Sequence, residues 1–383
     1  MKKLLVALVA ASAAACVFAG STLNVPADYS TLETALAVAQ DGDEIVLAAG
    51  TYTIASEITL SSGITIRSAT GKPEDVVIAA SGAIRPFTLN HAEARIEAVT
   101  FANGKPNGYG GAVQLDANGG IVRNCVATNC IANGWGAGGG AFYLKGANAL
   151  VENCVVSNCS HATSGNGFEE AYRGGLAAYI DQKGTIRNSL FVHNKGQGDK
   201  VSNGGATVVL NNGGLLENCT VAGNDFWYSS GVHATGTAKV RDCLIFGNTS
   251  RDDQNGCWTV WKGTATCFEN CIAPIYINDS CIVANHFLRD FAHGDFTPAG
   301  AAVDAGVTAE WQETAVDIAG CPRVSGSAPD IGCFEADQFV AALEVVASVV
   351  RGLAPLEVVF TPRVGATKIC PRSLPRHRPI PCR

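Results

Sequence analysis

The chain has 383 residues, 47% of them hydrophobic and only 16% charged, with 43 glycines, 15 cysteines and a formal net charge of −7. That hydrophobic content excludes a disordered polypeptide, and low charge with abundant glycine suits many tight corners. Six basic residues fall between Arg363 and Arg383, so the rest carries 21 basic against 34 acidic residues. An acidic body argues against a nucleic-acid partner, whose phosphates call for a basic stripe.

The N-terminus reads as an export signal over residues 1–19. Lys2 and Lys3 precede the apolar run Leu4–Val17, and Val17-Phe18-Ala19 fits a small-x-small cleavage site. The run is too short for a membrane span, and no later segment has the length and apolarity of a transmembrane helix. The mature protein is therefore expected to be secreted or on the cell surface, with lipid attachment at Cys16 as the minor alternative. Next, Ser30-Thr31-Leu32-Glu33 has the pattern of a capping box, and Leu32, Ala35, Leu36 and Ala39 fall on one helical stripe. A short helix ahead of the strand-like runs Glu44–Leu47, Glu57–Leu60, Gly63–Ile66 and Asp75–Ile78 is placed to cover an open sheet end.

From there a phrase recurs. A Gly-rich start leads to a short strand-like run and then to a polar-plus-small pair: Asn124-Cys125, Asn153-Cys154, Asn188-Ser189, Asn218-Cys219 and Asp242-Cys243. Gly111, Gly140, Gly175 and Gly205 each lie 14 residues before the small residue, and Gly231 lies 12 before it. Six residues after each Asn/Asp stands Cys130, Cys159, Asn194, Asn224 or Asn248. A period of roughly 24–35 residues means stacked units, none of which buries a face alone. Each unit supplies about three short strands, as in Val113–Leu115 and then Ile121–Arg123. The Asn/Asp at the following corner suits a left-handed backbone, and stacked Asn side chains can bond from coil to coil. These Asn read as structural.

Twelve cysteines lie in the body without CxxC pairs or His partners, which argues against zinc. Two readings of the in-register set Cys125, Cys154, Cys219, Cys243 and the pair Cys130, Cys159 stay open. One is a stack of small buried thiols. The other is disulfides between adjacent rungs, since strands about 4.8 Å apart fall within the Cα separation a disulfide accepts.

Length varies at one place in the repeat, between the last corner of one coil and the first strand of the next. Those four loops (131–138, 160–173, 195–203 and 225–230) would emerge on one side as a wall. They carry Trp135, Phe168, Tyr172, Trp227 and Tyr228 among charges that include Glu169, Glu170, Arg173 and Asp225. Aromatic faces with interleaved polar groups hold sugar rings, so these nine residues are the candidate ligand site. No metal site is expected. Asp252-Asp253 and His293-Gly294 are present without the Asn-Thr-Asp that would complete a paired acid–base glycosidase site. Glu169, Glu170, Asp225 and Arg173 supply the residue types of a Ca²⁺-assisted lyase, but no local spacing demands that arrangement. Whether the protein is an enzyme stays open.

Gly-Gly-Ala followed by an apolar residue, together with Phe191-Val192-His193-Asn194, resembles the repeat of polymorphic outer-membrane proteins. Val25-Pro26-Ala27-Asp28-Tyr29 through Gly50-Thr51-Tyr52 is similar to the capped start of the pectin-lyase-like superfamily. Asp317-Ile318-Ala319-Gly320-Cys321-Pro322-Arg323 with Pro329-Asp330-Ile331-Gly332-Cys333-Phe334-Glu335 resembles the closing segment of exported bacterial β-helix proteins. The resemblance covers roughly 24–336 and implies an all-β fold, a right-handed parallel β-helix over 20–336 with an N-terminal capping helix. It says little of activity. Cys321 and Cys333 replace the Asn and Ala usual in that motif, and the double departure implies a Cys321–Cys333 disulfide. Residues 337–383 differ: Gly352-Leu353-Ala354-Pro355-Leu356-Glu357-Val358-Val359-Phe360-Thr361 resembles the first strands of a PKD domain. Too few residues follow for a full sandwich, so a partial module and a basic, Pro-rich, poorly ordered tail are expected.

The function expected is binding or adhesion to polysaccharide through the loop-built aromatic face. A polysaccharide lyase or glycoside hydrolase, with Ca²⁺ only under the lyase reading, is the alternative. A purely structural surface protein is the third.

Overall fold

The computed structural model describes residues 20–134, 137–162, 174–196, 206–226, 230–250 and 259–336, with two later strands at 342–347 and 360–365. Alternation of apolar and polar residues in three- to five-residue runs produces strands, and glycine or Asn corners end them. The strands stack into three parallel sheets that run the length of the coil. The first sheet has ten strands, from Thr22–Val25 through Glu44–Leu47 to Lys239–Arg241 and Phe268–Glu269. The second has eight, from Ile58–Leu60 to Trp261–Gly263, and the third has ten, from Gly50–Ile54 to Ile282–Val283. A coil visits the second sheet, then the first, then the third, as in Val113–Leu115, Gly120–Arg123 and Val126–Thr128.

In-register pairing turns a repeat position into a row along the axis. Ile45, Ile66, Ile96, Val122, Val151, Ile186, Leu216, Val240 and Phe268 form one such row inside the first sheet, all buried. Phe101, Ala127, Val156, Phe191, Val221 and Ile245 form its counterpart in the third. The row mixes Phe with the smaller Ala and Val, which suits close packing inside a narrow coil. At the open N-terminal end the helix is Leu32–Leu36, with Leu32 and Ala35 buried on the core. Its capping box is one residue later than the pattern predicts. Thr31, extended at φ −140, is the N-cap; its Oγ1 accepts from Thr34 N–H, and Thr34 Oγ1 accepts from Thr31 N–H.

The recurring glycines mark close approach between backbones. A Cβ at Gly140 would lie 2.0 Å from the Leu176 carbonyl oxygen, and one at Gly231 would lie 1.9 Å from that of Val260. The corner residues adopt the expected left-handed conformation: Asn124, Asn153, Asn188, Asn218, Asp242 and Asn270 all have φ between 46° and 54°. Their side chains do more than stack. Asn188 Nδ2 donates to the Val316 carbonyl at 2.6 Å, Asn218 Nδ2 to that of Asp330 at 3.4 Å, and Asn270 Nδ2 to that of Ala305 at 2.8 Å. The long axial ladder sits six residues on. Asn194 Nδ2 donates to Asn224 Oδ1 at 2.9 Å, and Asn224 Nδ2 to Asn248 Oδ1 at 2.9 Å. Each Oδ1 also accepts the backbone N–H of the coil before.

The cysteine row is a stack of free thiols. Cys125, Cys130, Cys154, Cys159, Cys219, Cys243 and Cys271 are buried and unbridged, which settles against rung-to-rung disulfides. Most give their thiol hydrogen to the carbonyl two residues back, as Cys219 does to Glu217 at 3.2 Å. Ser189, the odd member, makes the same bond to Arg187 at 2.8 Å. Burial raises the Cys125, Cys159, Cys243 and Cys271 thiols well above their usual range.

From about residue 284 the chain leaves the coil and folds back over the outer face of the third sheet. Phe296, Cys333 and Phe334 cover Leu190, Val192 and Ala222, while Phe287, Ala302 and Ile331 cover Leu244 and Ile272. The segment is locked on itself by the residues that carry the closing-motif resemblance. Asp317 accepts from the N–H groups of Ala319, Cys321 and Glu335. Arg323 has no exposed surface, pairs with Glu335, and donates to the carbonyls of Asp330 and Gly332 at 2.7 and 2.6 Å. The expected Cys321–Cys333 disulfide does not form: Cys333 is a free, buried thiol, its pKa pushed up to about 12 by burial. Here the sulfur fills apolar space beside Leu190 and Ala222, and the turn it was expected to staple is held by the Asp317 carboxylate instead.

Past residue 336, Ala342–Ala347 and Phe360–Gly365 pair antiparallel. The other positions of the PKD-like and basic tail, like the signal, lie outside the described residues.

Candidate functional site

The three outer faces differ in chemistry because each repeats a different residue type at its outward position. On the first sheet that position reads Arg67, Glu97, Arg123, Glu152, Arg187, Glu217, Arg241 and Glu269 in unbroken register. Charges of opposite sign alternate along it. Glu152 takes Arg123 Nε at 2.7 Å and Arg187 Nε at 2.6 Å, and Trp311 Nε1 donates to Glu217 at 2.9 Å with Arg187 lying 4.4 Å over its ring. A face whose charges are mutually satisfied offers little to a ligand. The third sheet is clad over its later coils by the closing segment.

The second sheet is different. Its outward row runs Thr59, Thr88, Gln114, Tyr143, Tyr179, Val209 and His233. Tyr109 stacks on Tyr143 with centroids 4.5 Å apart and planes 28° from parallel, and Tyr179 lies 5.7 Å from Tyr143. Tyr143 Oη donates to Asp181 Oδ2 at 3.0 Å, and Asn211 Nδ2 donates to Asp181 Oδ1 at 3.1 Å. Burial first, and the Asp181 carboxylate second, hold the Tyr143 phenol above its usual range, so it stays a donor. Arg85 pairs with Glu57 at 2.7 Å and donates to the Tyr109 carbonyl at 2.6 Å, tying the half-buried Tyr109 to an earlier coil.

The variable loops leave beside this row. Their roots stack: Ile131–Asn133 pairs with Ser160–Ala162, and Asp225–Phe226 with Thr249–Ser250. Bridges join Asn107 to Asn133 and Lys195 to Asp225. Of the nine expected ligand residues, Asp225 is described. It is half-buried, and Lys195 Nζ lies 3.4 Å from its Oδ2. Trp135, Phe168, Glu169, Glu170, Tyr172, Arg173, Trp227 and Tyr228 lie outside the described residues, as do Asp252 and Asp253. What is described brings their loop roots to one corner.

His161, on one of these roots, is buried against the Phe226 ring. Burial lowers its pKa to about 4, so it is neutral at physiological pH, and its Nδ1 has no hydrogen-bond partner. His193 is exposed at a corner with φ 56. His293 is exposed and bonded to Asp290 at 2.7 Å. Among the described residues no three His, Cys, Asp or Glu gather as metal ligands.

The tyrosine group escaped sequence reading, although a signal existed. Tyr143 and Tyr179 occupy the same strand-centre position in successive coils, between residues that face the core. Only the register reveals that this position faces outward.

A model described as "Right handed beta helix region" matches residues 60–273, more than half of the chain. Two solved structures are similar. The crystal structure of pectate lyase Pel9A has 14% identity over 83% of this chain and 96% of that one, with a TM-score of 0.38. The PL6-family alginate lyase AlyGC, solved as a mutant, has 13% identity over 73% of this chain and 55% of that one, with a TM-score of 0.25. No curated protein matches. With most of the stacked coils inside the matched span, the chain belongs to the right-handed β-helix family.

Proposed function

We propose that this protein is exported and binds polysaccharide along the second-sheet face, with the variable loops forming the wall of the site. One observation carries the reading. Of the three faces, this one alone sets an aromatic group, Tyr109, Tyr143 and Tyr179, beside the stacked roots of aromatic-rich loops. Tyr109 is the half-buried ring of the three, with Tyr143 and Tyr179 buried behind it; its face stacks on the apolar C–H face of a sugar while the half-buried Asp181, Asn211 and Gln114 offer hydroxyl partners. Residues in register recur every coil, about 4.8 Å apart, which suits a linear polymer lying along the axis. Export accords with residues 1–19.

The test is retention of the full chain on a panel of immobilised neutral and acidic polysaccharides. Depolymerisation is assayed in parallel with and without Ca²⁺, beside the variants Tyr109→Ala and Trp135→Ala/Trp227→Ala. Retention without new chain ends, reduced at least tenfold in both variants, is expected. New unsaturated or reducing ends would make the protein a lyase or hydrolase acting through carboxylates of the same loops. Failure to bind any polymer would sink the reading and leave a structural surface protein.

A further inference from the structure

We propose that Asp242 is carried in the folded protein as the neutral acid, its Oδ2 hydroxyl donating to Asn218 Oδ1, so that the coil's grip on the closing segment weakens as pH rises. The corner row and the charges around it both lead there.

The corner row is the track on which the closing segment lies. Running back along it, the Ala305 carbonyl accepts from Asn270 Nδ2 at 2.8 Å, and the Val307 N–H donates to Asp242 Oδ1 at 3.2 Å. Gln312 Nε2 then donates to Asn218 Oδ1 at 2.9 Å, and the Val316 carbonyl accepts from Asn188 Nδ2 at 2.6 Å. Four successive coils thus grip residues 305–316 through one side chain each.

Within the row, amides also bond to the coil before. Asn188 Nδ2 donates to Asn153 Oδ1, and Asn270 Nδ2 donates to Asp242 Oδ1 at 2.6 Å. Asp242 is the one acid among the corner amides Asn124, Asn153, Asn188, Asn218 and Asn270, and it shares their left-handed backbone. Its Oδ1 is used as an amide oxygen is used, so its Oδ2 takes the place of the amide nitrogen, on the side of Asn218. That oxygen is buried with no hydrogen-bond partner among the described residues, and Asp242 has no exposed surface. As a carboxylate it would set two acceptors against each other. As an acid it becomes a donor, and the two lone pairs of Asn218 Oδ1 then serve Gln312 and Asp242.

The surrounding charges leave the acid favoured. Arg241 on the same coil is paired with Glu217, and Arg323 of the closing segment with Glu335, so neither guanidinium is free to neutralise Asp242. Glu217 on the coil before and Glu269 on the coil after, the latter paired with Lys239, stand to either side. From the closing segment come Asp330, which accepts the N–H groups of Asp304 and Ala336, and Asp304, which accepts that of Ser327. Burial raises the Asp242 carboxyl, against the lowering pull of Asn270, Val307 and Arg241. The folded protein therefore holds this proton more tightly than the unfolded chain. The stability it contributes is whole below the ordinary value of 3.8 and is lost as pH climbs through the raised one. Ionisation strands a buried charge against Asn218 Oδ1. It does so at the residue whose Oδ1 and carbonyl hold the N–H groups of Val307 and Gly332.

The test compares the full chain with Asp242→Asn, whose amide supplies the same donor and does not titrate. In infrared spectra of protein with isotope-labelled aspartate, a neutral-carboxyl stretch should persist above the pH at which ordinary aspartates have lost theirs. Asp242→Asn should lack it. Melting midpoints of the two proteins should lie together near the ordinary carboxylate range and separate as pH rises, the variant the higher. Exchange of the Val307 and Gly332 amides, corrected for its intrinsic pH dependence, should quicken by roughly tenfold over the same rise in the wild-type protein alone. A wild-type spectrum matching that of the variant, or a midpoint gap constant with pH, would overturn the proposal. A wild-type protein more stable than Asp242→Asn at alkaline pH would also overturn it, because the fold would then prefer the carboxylate.

Discussion

Replacing Arg323 with methionine tests what holds the closing segment to the coil. The guanidinium is fully buried, paired with Glu335, and donates to the Asp330 and Gly332 carbonyls. Methionine preserves much of the volume but removes the charge and those donors. Glu335 then keeps the Asp330 N–H at 3.0 Å but loses its counter-ion. Breaking a buried pair from one side costs about 3–5 kcal/mol, a large share of the roughly 5–15 kcal/mol that stabilises a domain. At roughly 2–4 °C per kcal/mol for a body of this size, the midpoint should fall by about 6–20 °C in circular dichroism melts. Release of the segment also bares Leu190, Val192, Ala222 and Leu244, so binding of a hydrophobic dye should rise before the coil unfolds. Arg323→Met/Glu335→Gln, which removes both charges, should recover a good part of the loss. A single variant within about 2 °C of wild type, or a double variant no better than the single, would refute the assignment of the lock to this pair.

Three further outcomes follow from the same geometry. His161 is held neutral with a folded pKa of about 4, below its ordinary value near 6.5. The unfolded chain therefore binds more protons between those values, and the site's stability, fully present above about pH 6.5, is lost as pH falls toward 4. The shift corresponds to about 3 kcal/mol, so melting at pH 7.5 and 5.0 should differ less in His161→Leu than in wild type; equal slopes would reject the role. Asn224→Ala removes an Nδ2 that donates to Phe191, Ala222 and Asn248, and an Oδ1 that accepts from Asn194. It should cost about 2–4 kcal/mol in denaturant titration, whereas Asn224→Cys, matching Cys130 and Cys159, should cost visibly less. Alkylation of unfolded, unreduced protein should label Cys333, and recovery of a peptide linking Cys321 to Cys333 would contradict the free thiol.

The strands, the corner Asn residues and the capping helix were legible because each rests on local spacing. The period brought Val113–Leu115 and Ile121–Arg123 out as strands, and Asn124 through Asn218 as left-handed corners. What depends on stacking was not legible. The Asn194–Asn224–Asn248 ladder lies six residues after the corner, yet that spacing does not say that three amides meet in the core. Cys321 and Cys333 looked like a pair because they depart together from a motif, but the turn between them is organised by carboxylates and a buried guanidinium. The capping box slipped by one residue because Ser30 and Thr31 are chemically equivalent there, and only the backbone at Thr31 decides between them. Tyr109, Tyr143 and Tyr179 come from different coils, so only the fold assembles them. The loops were legible as the place where length varies, and their roots do stack.

The charge row on the first sheet shows why such a repeat must be imperfect. Parallel, in-register stacking places the same repeat position of neighbouring coils about 4.8 Å apart. Had every coil kept one charged residue at this position, like charges would stand in file. At that spacing each contact would be unfavourable by roughly 1 kcal/mol in water and about 3–4 kcal/mol at an effective dielectric near 20. Glu152 is nearly buried between Arg123 and Arg187, so the larger figure is the nearer guide there. Two arrangements avoid the penalty. Uncharged rows of Asn, Cys, Val or Ile may repeat freely, and they do so at the corners and in the core. Charged rows must alternate in sign, and Arg67 through Glu269 does so over eight coils. The period therefore shows in the neutral positions and is hidden in the charged ones. The alternation that hides it also leaves this row with no net charge to attract a charged polymer, whereas the second-sheet face carries its tyrosine group beside the variable loops.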